Sequence, residues 1–91
     1  MNKETIIECI DMVIDKRPQV YVVSVMNDIK NFVYKMDDFN YQRVRYFISL
    51  QQPIKLGGIE AIEVSNALGF LKDLINCKKK KEKQKLWIPN Q

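Results

Sequence analysis

Two of the chain's three glycines are adjacent, Gly57-Gly58, and they stand between two short runs of alternating side chains, residues 54–56 and 59–64. A glycine pair supplies the positive φ that two-residue hairpin turns require, so the pattern predicts a two-stranded ribbon over about 54–64. In its second run Ile59, Ala61 and Glu63 would face one way, and Glu60, Ile62 and Val64 the other. Pro53 stands just before it and ends the preceding helix, because proline disfavours helical geometry at the residue it follows. Any fold for this chain must build helices around that interruption.

Helical periodicity is clear on both sides of it. Ile6, Ile10, Val13 and Arg17 share a stripe, with Cys9 beside it, which predicts a first helix over about 3–16. Glu4 and Glu8 near its start and Lys16 and Arg17 near its end complement the helix dipole. Pro18 stops it. The run QVYVV, residues 19–23, reads either as a short strand or as the lead-in to the next helix. Val25, Ile29, Phe32, Val33 and Met36 then predict a second helix over about 24–34, with Ser24 as N-cap.

The turn KMDDF, residues 35–39, contains Asp37-Asp38, a pair that favours turns and caps. A third helix follows over about 40–51. Tyr41, Val44, Phe47 and Ile48 form its inward stripe, and Gln42, Arg43, Arg45, Tyr46 and Ser49 its outward face. Beyond the ribbon, Ser65 is placed to cap a fourth helix whose stripe is Ala67, Phe70, Leu71, Leu74 and Ile75. Gly69 falls off that stripe. The helix runs into six lysines within residues 78–85.

The totals exclude several classes. Ninety-one residues is a one-domain length, read here as a body over 1–77 and a basic tail over 78–91. Apolar residues make up 46% and charged residues 29%, the balance of a folded chain rather than a disordered one. No run reaches the ~18 apolar residues of a membrane span, and acids interrupt the N-terminal pattern where a secretory signal would be apolar. A cytoplasmic protein is expected. With two distant cysteines and no histidine, neither a disulfide framework nor a zinc site is expected, nor any cofactor. There is no nucleophile elbow and no phosphate-cradling glycine loop, so the chain does not read as an enzyme.

Charge is unevenly spread. Residues 1–40 carry five basic and seven acidic side chains, whereas residues 41–91 carry ten basic and four acidic. Such a basic half points to a polyanionic partner.

The order of helix, turn, basic helix, glycine-turned ribbon and capped helix resembles the winged helix-turn-helix superfamily. The run IEVSNALGFLKDLI, residues 62–75, is similar to the segment of those regulators where the second wing strand enters a helix through a Leu-Thr-x-x-Gly-type start. Val64-Ser65 stand in place of Leu-Thr, and Gly69 comes four residues after Ser65. Small regulators of the MarR and PadR types and plasmid- or phage-borne partition proteins of the TubR type share this arrangement, and the likeness covers about residues 20–76. It implies an α+β, mainly helical fold with a short two-stranded wing and a C-terminal helix. The acidic turn and Glu60 and Glu63 in the wing depart from the family's basic pattern.

The resemblance also implies that the helix over 40–51 enters the major groove of double-stranded DNA. Arg43 or Arg45 can bond bidentately to guanine, and Asn40 or Gln42 to adenine. Tyr41, Tyr46 and Ser49 can reach phosphates and fix the register. Lys55 at the base of the wing, and Lys78, Lys79, Lys80 and Lys81 in the tail, would add phosphate contacts. Against this, two arginines and a tyrosine also describe an ordinary solvated helix face. A homodimer through the first and last helices is expected by analogy, acting as a small repressor or a partition- or transfer-site protein. The alternatives are a protein–protein module, such as a small phage or plasmid inhibitor, and an all-helical bundle in which 54–64 is a plain loop. Trp87 and Ile88 hint at docking on a partner chain, a second protein held by the tail, or on the domain itself.

Overall fold

The computed structural model of the chain describes residues 2–51 and 58–86, with side chains up to Lys81. Four helices follow one another: α1 (Lys3–Asp15), α2 (Val20–Lys35), α3 (Tyr41–Leu50) and α4 (Gly58–Leu86). There is no strand among the described residues.

The wing predicted over 54–64 is therefore corrected to a helix over its second half. Ile62 and Val64 show why. A strand would put them on one face, but on a helix they stand ~200° apart, at 100° per residue. Ile62 is 60% exposed and Val64 is fully buried. Val64 opens a stripe completed by Leu68, Leu71 and Ile75, all buried at helical spacing. Burying that stripe outweighs the weak strand preference of a six-residue run. Gly58 does adopt the left-handed φ of 64° that the glycine pair predicts, but it starts a helix instead of turning a hairpin. Ser65, expected as a cap, is an exposed residue within α4. The first wing run, with Lys55, lies outside the described residues.

The same spacing builds α2. Val22, Met26, Ile29 and Val33 are buried at intervals of four, three and four. This settles the ambiguous run QVYVV as the helix's first turn, where tertiary burial overrides the β preference of its valines. Gln19 precedes the helix, and its carbonyl accepts from the amides of Val22 and Val23. Ser24, expected as N-cap, stands exposed inside the helix.

Helix α1 buries Ile6, Cys9, Ile10 and Val13. Asn2 caps it, its Oδ1 accepting from the amide and hydroxyl of Thr5 at 2.9 and 2.7 Å. At the other end Arg17 leaves the expected stripe: it lies past the helix in the left-handed region, at φ 55°. From there its amide donates to the Ile14 carbonyl at 2.9 Å.

Helices α1, α2 and α4 pack together, and α3 joins through α2. Phe32 on α2 stacks on Phe47 on α3, with ring centroids 4.2 Å apart and planes within 3°. Lys3 donates to the carbonyls of Tyr34 and Met36 at 3.3 and 2.7 Å, tying the start of α1 to the negative end of α2. Tyr21 donates its hydroxyl to the carboxylate of Glu63, joining the first turns of α2 to those of α4.

Candidate nucleic-acid interface

Helix α3 begins as the sequence predicts. The Asn40 Oδ1 accepts from the amides of Gln42 at 2.9 Å and Arg43 at 3.4 Å. Its carbonyl oxygen is thus engaged in capping. Only its amide nitrogen is left for a ligand. Val44 and Ile48 are buried, and Tyr41 and Phe47 are packed against the core. Gln42, Arg43, Arg45, Tyr46 and Ser49 are exposed, as the outward face requires. Ser49 spends its hydroxyl proton on the Tyr46 carbonyl, at 2.6 Å.

The two arginines of α3 part company. Two residues apart on a helix, they point ~200° from one another. Arg43 lines a hollow with Lys35, Asp37 and Asp38, two cations beside two carboxylates. Arg45 lines a groove of about 340 Å³ between α3 and α4. Lys72, Asn76 and Lys79 of α4 face it, and Tyr41, Ile48, Ser49 and Ile75 complete the walls. Three cations meet there, and no carboxylate is among the lining side chains described.

Lys72 and Asn76 were not among the residues singled out from sequence. The signal was available: Lys72, Asn76 and Lys79 stand at i, i+4 and i+7, one face of a continuous helix. It was hidden by splitting the lysine run off as a tail. The helix itself runs on through those lysines to Leu86, as the sequence predicts. Lys79 lies over the Tyr41 ring, 4.8 Å from its centre, and Lys78 bonds Glu8 of α1 at 3.0 Å. That bond pushes the Lys78 pKa up. Lys80 and Lys81 are exposed.

Acidic side chains collect elsewhere. Glu4, Glu8, Asp11 and Asp15 of α1 line one hollow with Lys3, Met12 and Tyr34. Asp11 is held by Lys30 of α2 at 2.7 Å, a bond that raises the lysine's pKa. The acids of α1 thus line a different hollow from the cations of the α3–α4 groove.

A second surface lies on the other flank of α3. Phe32, Tyr46, Phe47 and Leu50 border a shallow apolar hollow of about 480 Å³, with Gln42 and Arg43 at its edge. Tyr46 is 66% and Leu50 58% exposed.

Among the described residues no helix is long and apolar enough to cross a membrane, and no group of His, Cys, Asp or Glu is placed to hold a metal ion. Compared with known proteins, the chain matches no family model, no curated protein and no solved structure.

Proposed function

We propose that the chain binds double-stranded DNA through the basic groove between α3 and α4. The observation that carries this reading is the convergence of Arg45, Lys72 and Lys79 on one groove free of carboxylates among its described lining. Phosphates in the groove would be neutralised by these three side chains, releasing condensed counterions, and Asn76 would donate to a phosphate oxygen. Arg45 presents a planar fork suited to bidentate contact, whereas the lysines act as point charges. With the groove on the backbone, the adjoining face of α3 meets the base edges through Gln42, and Lys80 and Lys81 follow the backbone further along. This deploys the helix expected to read DNA without a wing. A role as a small repressor or a site-binding accessory is consistent with so compact a body.

The experiment is titration of labelled duplex with wild-type protein and with the Arg45→Ala, Lys72→Ala, Lys79→Ala triple variant. The reading expects much weaker binding at moderate salt, still measurable at low salt, with the helical signal retained. Unchanged affinity of the triple variant would overturn it.

A second reading, a protein–protein module, draws on the apolar hollow of Phe32, Tyr46, Phe47 and Leu50. Aromatic and arginine side chains around an apolar centre are the usual composition of protein interfaces. Tyr46→Ala and Leu50→Ala separate the two: they would abolish partner capture in this second reading and leave the phosphate-dependent part of duplex binding intact.

A further inference from the structure

The cations of the α3–α4 groove stand in a single row. At the start of α3, Lys79 lies over the Tyr41 ring, 4.8 Å from its centre. Near the end of α3, Ser49 lines the same groove as Lys72. The groove thus runs along α3 from Tyr41 toward Ser49, with Arg45 one turn in from Tyr41 and Asn76 between the two lysines of α4. Lys72 and Lys79 are seven residues apart, which is ~10 Å along α4 at ~1.5 Å per residue. One DNA strand carries a charge every ~3.4 Å of duplex axis, so ~10 Å corresponds to about three successive phosphates of the same strand, one for each cation.

Among the described residues the far flank of α3 offers no second row. Holding the other strand takes cations set back by a groove width, ~12 Å across a major groove or ~6 Å across a minor one. That flank instead places Arg43 in a hollow with Lys35, Asp37 and Asp38, and beside it lies the apolar hollow of Phe32, Tyr46, Phe47 and Leu50. The first has as many carboxylates as cations, and the second is apolar at its centre, so neither draws in a run of phosphates. Nor can bases stack within the basic groove. Lys79 covers a face of Tyr41, and Ile48 and Ile75, at 1% and 2% exposure, lie in its walls.

We infer that the groove grips one strand by its sugar–phosphate backbone, so that an unpaired strand is a ligand in its own right. This rests on the groove being the nucleic-acid site and adds that the complementary strand and the bases are dispensable to the grip. Lys72 and Lys79 meet phosphates at the two ends as point charges, and Arg45 takes the one between through its planar fork. A duplex is held by the same row, with its base edges meeting Gln42 in addition.

The test compares three labelled ligands of one length at low salt: a duplex, one of its strands chosen not to self-pair, and an abasic strand of the same backbone. Both single strands are expected to bind within ~10-fold of the duplex, because the phosphates carry the affinity. Over a salt series, log affinity should fall by ~0.7 per phosphate held for the strand, against ~0.9 for the duplex, and the Arg45→Ala, Lys72→Ala, Lys79→Ala variant should lose about two from its strand slope. A bound duplex with either single strand more than ~10-fold weaker would overturn this inference and leave the proposed function standing. So would a variant whose slope changes for the duplex and not for the strand. Failure of all three ligands to bind at low salt would overturn the proposed function, and this inference with it.

Discussion

The ammonium of Lys79 sits over the ring of Tyr41, 4.8 Å from its centre, while the next lysine back, Lys78, bonds Glu8 at 3.0 Å. Consecutive residues on a helix point ~100° apart, so these two lysines reach to either side of α4. One reaches α3 and the other α1. The opening of the lysine run is thereby part of the folded body. The contact also leaves donors free: a ring face takes one side of an ammonium, and its N–H groups can still bond a phosphate.

The link between Tyr21 and Glu63 makes stability depend on pH. Chiefly the hydrogen bond to Glu63, with partial burial and the charges of Glu63 and Glu60 adding to it, pushes the Tyr21 phenol up from 10.0 to about 12. The unfolded chain therefore releases this proton first. The contact's contribution is complete below pH about 10, and it is lost as pH rises through about 12. Absorbance titration is expected to show one of the four tyrosines ionising only near pH 12, and Tyr21→Phe to remove that step. A titration with no phenolate forming that late would contradict the link.

The two cysteines differ in reactivity. Cys9 is fully buried, and that burial pushes its thiol pKa up, whereas Cys77 is exposed on α4. A thiolate-seeking reagent is expected to label one thiol in the folded protein and both after denaturation. Cys77→Ser should leave the folded protein unlabelled.

Leu68 tests the helical course of α4. It is 1% exposed and belongs to the buried stripe with Val64 and Leu71. Leu68→Ala is expected to cost ~2–5 kcal/mol through lost burial and the cavity left behind. Denaturant unfolding measures it, and a cost under ~1 kcal/mol would mean that the stripe is not packed as described.

Arg17 offers a gain. Its φ of 55° places a side-chain-bearing residue where glycine is free of strain. Arg17→Gly removes a left-handed strain of roughly 1–2 kcal/mol against an entropy cost of about 0.4–1 kcal/mol, a net stabilisation of roughly 0.5–1 kcal/mol. A rise in melting temperature with the same unfolding cooperativity is the check.

The helices were largely legible where apolar residues recur cleanly. Ile6, Cys9, Ile10 and Val13 in α1, and Val44 and Ile48 in α3, were readable as inward positions, and Asn40 stands at the start of α3 as expected. Legibility failed where local and tertiary preferences disagree. Val20, Val22 and Val23 suit a strand locally, yet Val22 completes the buried stripe of α2. The alternation over 59–64 was equally deceptive, because six residues are too few to separate a period of two from one of 3.6. The α3–α4 groove was half visible. Arg45 and Lys79 could be named from charge, and Lys72 shares a helix face with Lys79, but their meeting depends on which side of α4 faces α3, and no local pattern encodes that.

The most direct test of the central reading is the salt dependence of duplex binding for the wild type and the Arg45→Ala, Lys72→Ala, Lys79→Ala variant. Each phosphate neutralised adds about −0.9 to the slope of log affinity against log salt. The account expects the variant's slope to be shallower by between two and three, roughly the contribution of three lost contacts. Identical slopes would show that the groove does not hold the phosphates, and would contradict it.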